Sequence, residues 1–194
     1  MPPEDAPRVY LAGPDVFLPD APARGAALKA ICARHGLHGV FPLDAPADIS
    51  PAWATLPEAH RIARCNEAHI RASAGLIANL TPFRGPSADV GTVFELGFMR
   101  ALGRPVFGWS NVATPFTERT LAHFGTTTRG VDGISRDPDG LLIEAFGLAD
   151  NLMIDAAIAA SGGRFFMADA ADRWGDLAMF EACVRSAAGV LRGI

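Results

Sequence analysis

The chain has 194 residues, 49% of them apolar and 20% charged, with 17 Lys and Arg against 21 Asp and Glu and a formal net charge of −4. A chain of this size buries roughly 70% of its unfolded surface around one core, so metal or disulfide staples are not required. The negative balance and the lack of a basic run interleaved with aromatics exclude the electrostatic footprint of a nucleic-acid reader. Cys32, Cys65 and Cys183 are odd in number and show no CxxC pairing, which fits a reducing cytoplasm. Met1 to Pro7 lack the basic start of a secretory leader, and no apolar run approaches the ~18–20 residues of a bilayer span, so a cytoplasmic protein without membrane contact is expected. His35, His38, His60, His69 and His123 form no HExxH pattern, and no metal is expected.

Arg8 to Ala12 is a β-branched and aromatic run ending at Gly13-Pro14, the pattern of a buried strand entering a loop. Pro22 to His35 repeats apolar residues at helical spacing (Ala27, Leu28, Ile31, Cys32) and stops at Gly36. Val40-Phe41 is a short second strand ended by Pro42, followed by a Pro- and Ala-rich loop holding Trp53. Pro57 to Ser73 places Ile62, Cys65, His69 and Ile70 on one helical face and Arg61, Arg64 and Arg71 on the other. Gly75 to Leu80 is apolar except for Asn79, as in a central parallel strand covered on both faces. Thr81 to Gly91 reads as a loop, Thr92 to Leu102 as a helix closed by Gly103, and Pro105 to Trp109 as a fourth strand. Residues 110–150 show no regular pattern and are expected to be irregular. Asn151 to Ala160 is helical, Arg164 to Ala168 a fifth strand and Trp174 to Leu191 a last helix.

Strands alternating with helices imply a single α/β domain over residues 1–194, built on an open five-stranded parallel sheet with helices on both faces. The expected order is the flavodoxin-like, Rossmann-like 2-1-3-4-5, with a ligand crevice at the carboxyl ends of strands one and three. Gly13 to Phe17 and Thr81 to Glu95 both emerge there. Neither GxGxxG nor GxxxxGK[ST] occurs, so dinucleotide and ATP readings lose their usual support.

Asp89 and Glu95 stand six residues apart at this crevice. Two readings remain open for Glu95. Thr92-Val-Phe-Glu95 has the form of a capping box, in which the carboxylate satisfies the helix's first amide. Alternatively, paired carboxylates near an anomeric carbon suit glycosyl transfer, one stabilising an oxocarbenium-like transition state or adding to it covalently.

Val-Tyr-Leu-Ala-Gly-Pro at 9–14, Ile-Ala-Asn-Leu-Thr-Pro-Phe-Arg-Gly at 77–85, Asp-Val-Gly-Thr-Val-Phe-Glu-Leu-Gly at 89–97 and Asn-Leu-Met at 151–153 together resemble the nucleoside 2-deoxyribosyltransferases. The resemblance implies a pentosyltransferase of nucleotide salvage that moves the 2-deoxyribosyl group between nucleobases through a covalent intermediate, without a cofactor. Its partners would be a 2′-deoxynucleoside and a free base. By the same resemblance Glu95 is the nucleophile, Tyr10 orients it, and Asp89 contacts sugar hydroxyls, with Gly91 lining the site beside them. Asn151 and Met153 would be lent to a neighbouring subunit's pocket, which makes the active unit a homo-oligomer with shared sites. As simple packing groups, Tyr10 would be a buried strand tyrosine, Asp89 a turn residue, Asn151 a helix cap and Met153 a core side chain.

Asn66 falls where many members carry an aspartate that helps protonate the leaving base, and an amide cannot supply that proton. Ala74 likewise replaces an aspartate, and Pro46 stands where some members have a base-contacting glutamine. Asp15 and Phe17, after Gly13, are candidates for hydrogen bonding to and stacking on a base. Two other functions fit the same pattern. One is an N-glycosidase acting on nucleosides or nucleotides, against which the negative charge of Asp15 would repel a 5′-phosphate. The other is a non-catalytic nucleotide-sensing module on the same fold.

Overall fold

The structure, a computed structural model, describes residues 5–46 and 50–193. Residues 1–4, part of the stretch expected to carry no leader, and 47–49, in the loop before Trp53, lie outside the described residues. The elements run β1 (Arg8–Ala12), α1 (Ala21–Arg34), β2 (His38–Val40), α2 (Glu58–Arg71), β3 (Gly75–Asn79), α3 (Val90–Ala101), β4 (Val106–Ser110), α4 (Phe116–Phe124), β5 (Thr128–Arg129), β6 (Ser135–Arg136), α5 (Leu152–Ala160), β7 (Phe165–Met167) and α6 (Ala178–Arg192). Five strands pair in the order β2-β1-β3-β4-β7, all parallel. This is the order expected from the sequence once the separate β5–β6 hairpin is set aside. No helix among the described residues is long and apolar enough to cross a membrane.

The period-two alternation of β1 decides what each face meets. Val9 and Leu11 point into one apolar layer with Leu28 and Ile31 of α1 and Phe180 and Val184 of α6. Tyr10 and Ala12 point into the other, with Ile70 of α2, Leu96 and Met99 of α3, and Ile154 and Ile158 of α5. Each fully buried aliphatic or aromatic side chain contributes about 1.5–3 kcal/mol, so two continuous layers fix the parity of β1 firmly. Tyr10 is thereby committed to the face that carries α3. At Gly108 a side chain would come within 2.9 Å of Ile158, so the glycine in β4 lets α5 lie close on that face.

The structure departs from the sequence reading in several places: the second strand is His38–Val40 rather than Val40–Phe41, the last helix starts at Ala178 rather than Trp174, and two larger differences lie nearer the site. The segment 110–150 contains α4 and the β5–β6 hairpin. Helix α4 is only nine residues long and its buried residue is the polar Thr120, so the period signal it offers is short and weak. It is held instead by polar contacts from Arg119 to the carbonyls of Pro86 and Thr114. Helix α3 starts at Val90, two residues before the expected Thr92, with Asp89 as its N-cap.

Candidate functional site

That earlier start decides between the two readings of Glu95. Asp89 Oδ2 accepts the Thr92 backbone N–H at 2.9 Å and the Thr92 hydroxyl at 2.9 Å. The cap is therefore Asp89, an aspartate satisfying an orphan amide of the first turn, and the capping-box reading of Thr92 and Glu95 is corrected. Glu95, a turn further on, turns inward to the sheet. Tyr10 Oη donates to Glu95 Oε1 at 2.7 Å, and Asn66 Nδ2 of α2 donates to the same oxygen at 3.2 Å. Three elements far apart in sequence thus converge on one carboxylate oxygen, and Glu95 Oε2 has no hydrogen-bond partner among the described residues.

Burial pushes the Glu95 carboxyl up to about 7 from its ordinary 4.5, and the charge of Asp89 adds to the rise. The bonds from Tyr10 and Asn66 oppose it. The Tyr10 phenol is driven well above its ordinary range by burial and then by Glu95, so it remains a donor. A desolvated carboxylate held near neutrality by two donors on one oxygen is suited to nucleophilic use of the other. Gly91, Phe94 and Glu95 of α3 and Ala63, Asn66, Glu67 and Ile70 of α2 line a pocket of about 210 Å³. Asn66 Oδ1 is buried without a partner, which leaves an acceptor at this wall for an incoming hydroxyl or amine.

The loop after β1 behaves differently from expectation. Asp15 is 2% exposed, its Oδ1 paired with Arg24 Nε at 2.7 Å and its Oδ2 accepting from Asn79 Nδ2 at 2.8 Å. Both carboxylate oxygens are occupied in the interior, so the reading of Asp15 as a base-contacting group is corrected. The repulsion expected between Asp15 and a phosphate falls with it, because Arg24 offsets the charge. Gly13 is required by close approach: a Cβ there would stand 2.7 Å from Asn79 Cβ and 2.7 Å from Asp15 Oδ2. Phe17 is 57% exposed and stacks on Phe83 at 5.4 Å between ring centroids, with the Arg84 guanidinium 5.1 Å over it.

Asn151 and Met153 do not join Glu95 within this chain's pocket. Asn151 caps α5, its side-chain oxygen accepting from Met153 N at 3.0 Å while its amide donates to Glu144 Oε1 at 2.6 Å. Met153 is 69% exposed rather than a core side chain. Both line a groove of about 670 Å³ together with Val90, Val93, Gly97 and Ile154. Sequence reasoning missed the groups that hold these segments. Asp150 is buried and accepts from Ser87 Oγ, from Ala88 N at 3.1 Å and from Arg119 Nη2 at 3.1 Å. It ties the start of α5 to the loop leading into Asp89. His69 is buried beside the Tyr10 ring and bonds the Asp44 carbonyl at 2.9 Å, closing the loop after β2 against the site. These partners are more than twenty residues apart, and no local pattern announces them.

Comparison with known proteins supports the same assignment. The family model for nucleoside 2-deoxyribosyltransferase matches residues 9–153. An uncharacterised Schizosaccharomyces pombe protein is 33% identical over 171 residues, covering 83% of this chain and 81% of its own. A 2-desoxiribosyltransferase from Leishmania mexicana superposes with a TM-score of 0.60 at 29% identity, covering 92% of this chain and 97% of that one. A conserved protein from Enterococcus faecalis V583 shares the fold, with a TM-score of 0.52 at 18% identity over 92% of this chain and 97% of its own. With its α/β order, its convergence of Tyr10 on Glu95 and the match across 9–153, the chain belongs to the nucleoside 2-deoxyribosyltransferase family.

Proposed function

We propose that this protein transfers the 2-deoxyribosyl group from a 2′-deoxynucleoside to a second nucleobase through an ester on Glu95. The observation that carries the reading is the pair of donors from Tyr10 and Asn66 on Glu95 Oε1, which leaves Oε2 without a partner among the described residues. Oε2 adds to C1′ as the glycosidic C–N bond breaks and its electron pair returns to the base, which takes up a proton from water. The acceptor base then attacks C1′ from the vacated side, the ester bond breaks back to the carboxylate, and the base gives up its N–H proton. Two inversions give net retention. Asn66 orients and donates a hydrogen bond but cannot supply the leaving-group proton. Asp89, its Oδ2 committed to Thr92, would offer Oδ1 to a sugar hydroxyl, with Gly91 lining the pocket beside it. Phe17 remains the candidate stacking surface for a base, and the Leishmania mexicana relative's activity supports the substrate class.

Asn151 and Met153 are assigned to a neighbouring subunit's pocket in a homo-oligomer. Their separation from Glu95 supports this, as does the exposure of Val90 at 84% and Met153 at 69% beside an apolar groove. Apolar patches of this kind mark interaction surfaces. The test is incubation with deoxyinosine, with and without a panel of acceptor bases, and chromatographic identification of products. New deoxynucleosides are expected only with acceptor present. Free base without acceptor would mean that water resolves the intermediate, and no product with any donor would leave a non-catalytic sensing module. A 2-fluoro-substituted deoxynucleoside is expected to label Glu95, and a label on another residue overturns the mechanism.

A further inference from the structure

We propose that the pocket bounded by the loop from β3 to α3, by helix α4 and by Arg173 binds a phosphate-bearing small molecule at a site separate from Glu95. The pocket measures about 460 Å³, and its lining residues include Arg84, Arg119, His123 and Arg173, together with Glu118. None of these residues lines the Glu95 pocket. In a chain of net charge −4, three arginines against one glutamate among the residues lining one hollow are a local reversal of sign.

Their pairing is incomplete. Arg119 meets Asp150 at 3.1 Å, while Arg84 and Arg173 have no carboxylate within ion-pair distance among the described residues. Burial first, and the nearby charge of Arg173 as a further cause, hold Arg119 below its ordinary range. Two like charges approach one another there, and an anion between them would relieve the repulsion. The forks are also pre-positioned. The Arg84 guanidinium lies 4.5 Å over the Phe83 ring and that of Arg173 5.2 Å over Trp174. Stacking fixes a guanidinium while leaving its N–H groups free in the plane, the geometry that suits bidentate phosphate recognition.

Arg84 sits at φ +56°, the one non-glycine residue of positive φ among the described residues. A bulky side chain held in the left-handed region is a feature that accumulates at binding sites. Arg173 also donates to the Pro82 carbonyl and Arg119 Nε to the Pro86 carbonyl at 2.7 Å, so a shared anion would tie together both ends of the loop that leads into α3. The hollow exceeds the size of phosphate alone and has room for a sugar or nucleoside monoester.

The test is calorimetric titration with inorganic phosphate, ribose 5-phosphate, a nucleoside 5′-monophosphate and the unphosphorylated nucleoside. It uses wild type, Glu95→Gln and the double variant Arg84→Gln/Arg173→Gln, and it needs no turnover, so it stands or falls apart from the transferase reading. Phosphate compounds are expected to bind wild type and Glu95→Gln alike. Binding should weaken at least about tenfold in the double variant and fall as salt rises. Equal affinity for inorganic phosphate and the monoesters assigns the site to the anion alone, and tighter binding of the nucleotide assigns the remaining volume to a nucleoside. Exposed Arg84→Gln on its own should also weaken binding, which guards against misfolding of the double variant. Absence of binding by every phosphate compound overturns the proposal. So does unchanged affinity in the arginine variants, or displacement of the phosphate compound by the unphosphorylated nucleoside.

Discussion

The two sides of α3 meet unlike surroundings. Toward α2, Gly91, Phe94 and Glu95 close a pocket of about 210 Å³ whose wall also carries Asn66 and Glu67. Toward α5, Val90, Val93, Leu96 and Gly97 line a groove of about 670 Å³ with Asn151 and Met153. The first side desolvates one charged group and surrounds it with donors. The second exposes apolar area that a lone chain does not cover. One helix thus carries chemistry on one face and an unpartnered surface on the other, and the residues at the second face are those that the family resemblance would lend to a neighbour.

The sharpest way to break this comparison is to disable each side separately. Glu95→Ala removes the proposed nucleophile and should lower transfer by on the order of 10³-fold or more. Asn151→Ala removes the amide at the other face and should lower it by about 10- to 100-fold, since each factor of ten is about 1.4 kcal/mol and a lost hydrogen bond to substrate is of that size. If the faces of two chains make one site, mixing the variants after verified subunit exchange should restore up to about a quarter of wild-type activity in an equal mixture, because about that share of sites receives both intact residues. Activity that stays at the level of the separate variants, or a fully active monomer, returns Asn151 to a helix cap.

A smaller effect is expected from Tyr10→Phe, which keeps the buried ring and deletes the 2.7 Å donor to Glu95. That bond lowers the carboxyl's pKa against burial, so its loss should move the acidic limb of the pH–rate profile upward from about pH 7 and reduce kcat by about 10- to 100-fold. A reduced rate with an unmoved limb would mean that Tyr10 acts on substrate rather than on Glu95.

What the sequence makes legible is whatever depends on local period and parity. The β-branched and aromatic run at Arg8–Ala12 and the apolar run from Gly75 read as buried strands, the expected order sets them side by side, and they are paired in the sheet. Asn79, the one polar residue of that run, marks a buried partner: its amide holds Asp15. What stays hidden depends on contacts between distant segments. Asp15 looks like a loop carboxylate until α1 brings Arg24 back onto it. Asp150 and Glu144 carry no motif, yet they fix the loop before Asp89 and the amide of Asn151. The Thr92–Glu95 spacing satisfies a local rule that Asp89, three residues before Thr92, fulfils instead. At functional sites local rules and tertiary structure part company most often, and here they part at Glu95.

The same desolvation that serves chemistry should cost stability, and Glu95→Gln measures it. The folded chain holds the Glu95 carboxyl at about 7 against an ordinary value of 4.5. Below pH 4.5 both folded and unfolded chains are protonated there, and burial costs no ionisation. Between pH 4.5 and 7 the folded state keeps a proton that the unfolded state has released, so stability falls as pH rises. Above pH 7 the loss is complete at about 3 kcal/mol, an upper bound because Glu95 is only half-buried. Glutamine is neutral throughout, can accept the Tyr10 hydroxyl bond and escapes this slope. The variant should therefore be inactive in transfer, unfold close to wild type near pH 4.5, and melt several degrees higher at pH 8.5, each kcal/mol being worth about 2–4 °C in a domain of this size. Thermal unfolding followed by circular dichroism across that range separates the outcomes. A difference between variant and wild type that does not grow with pH would show that Glu95 is not held protonated by its burial, and would remove the basis for its activation near neutrality.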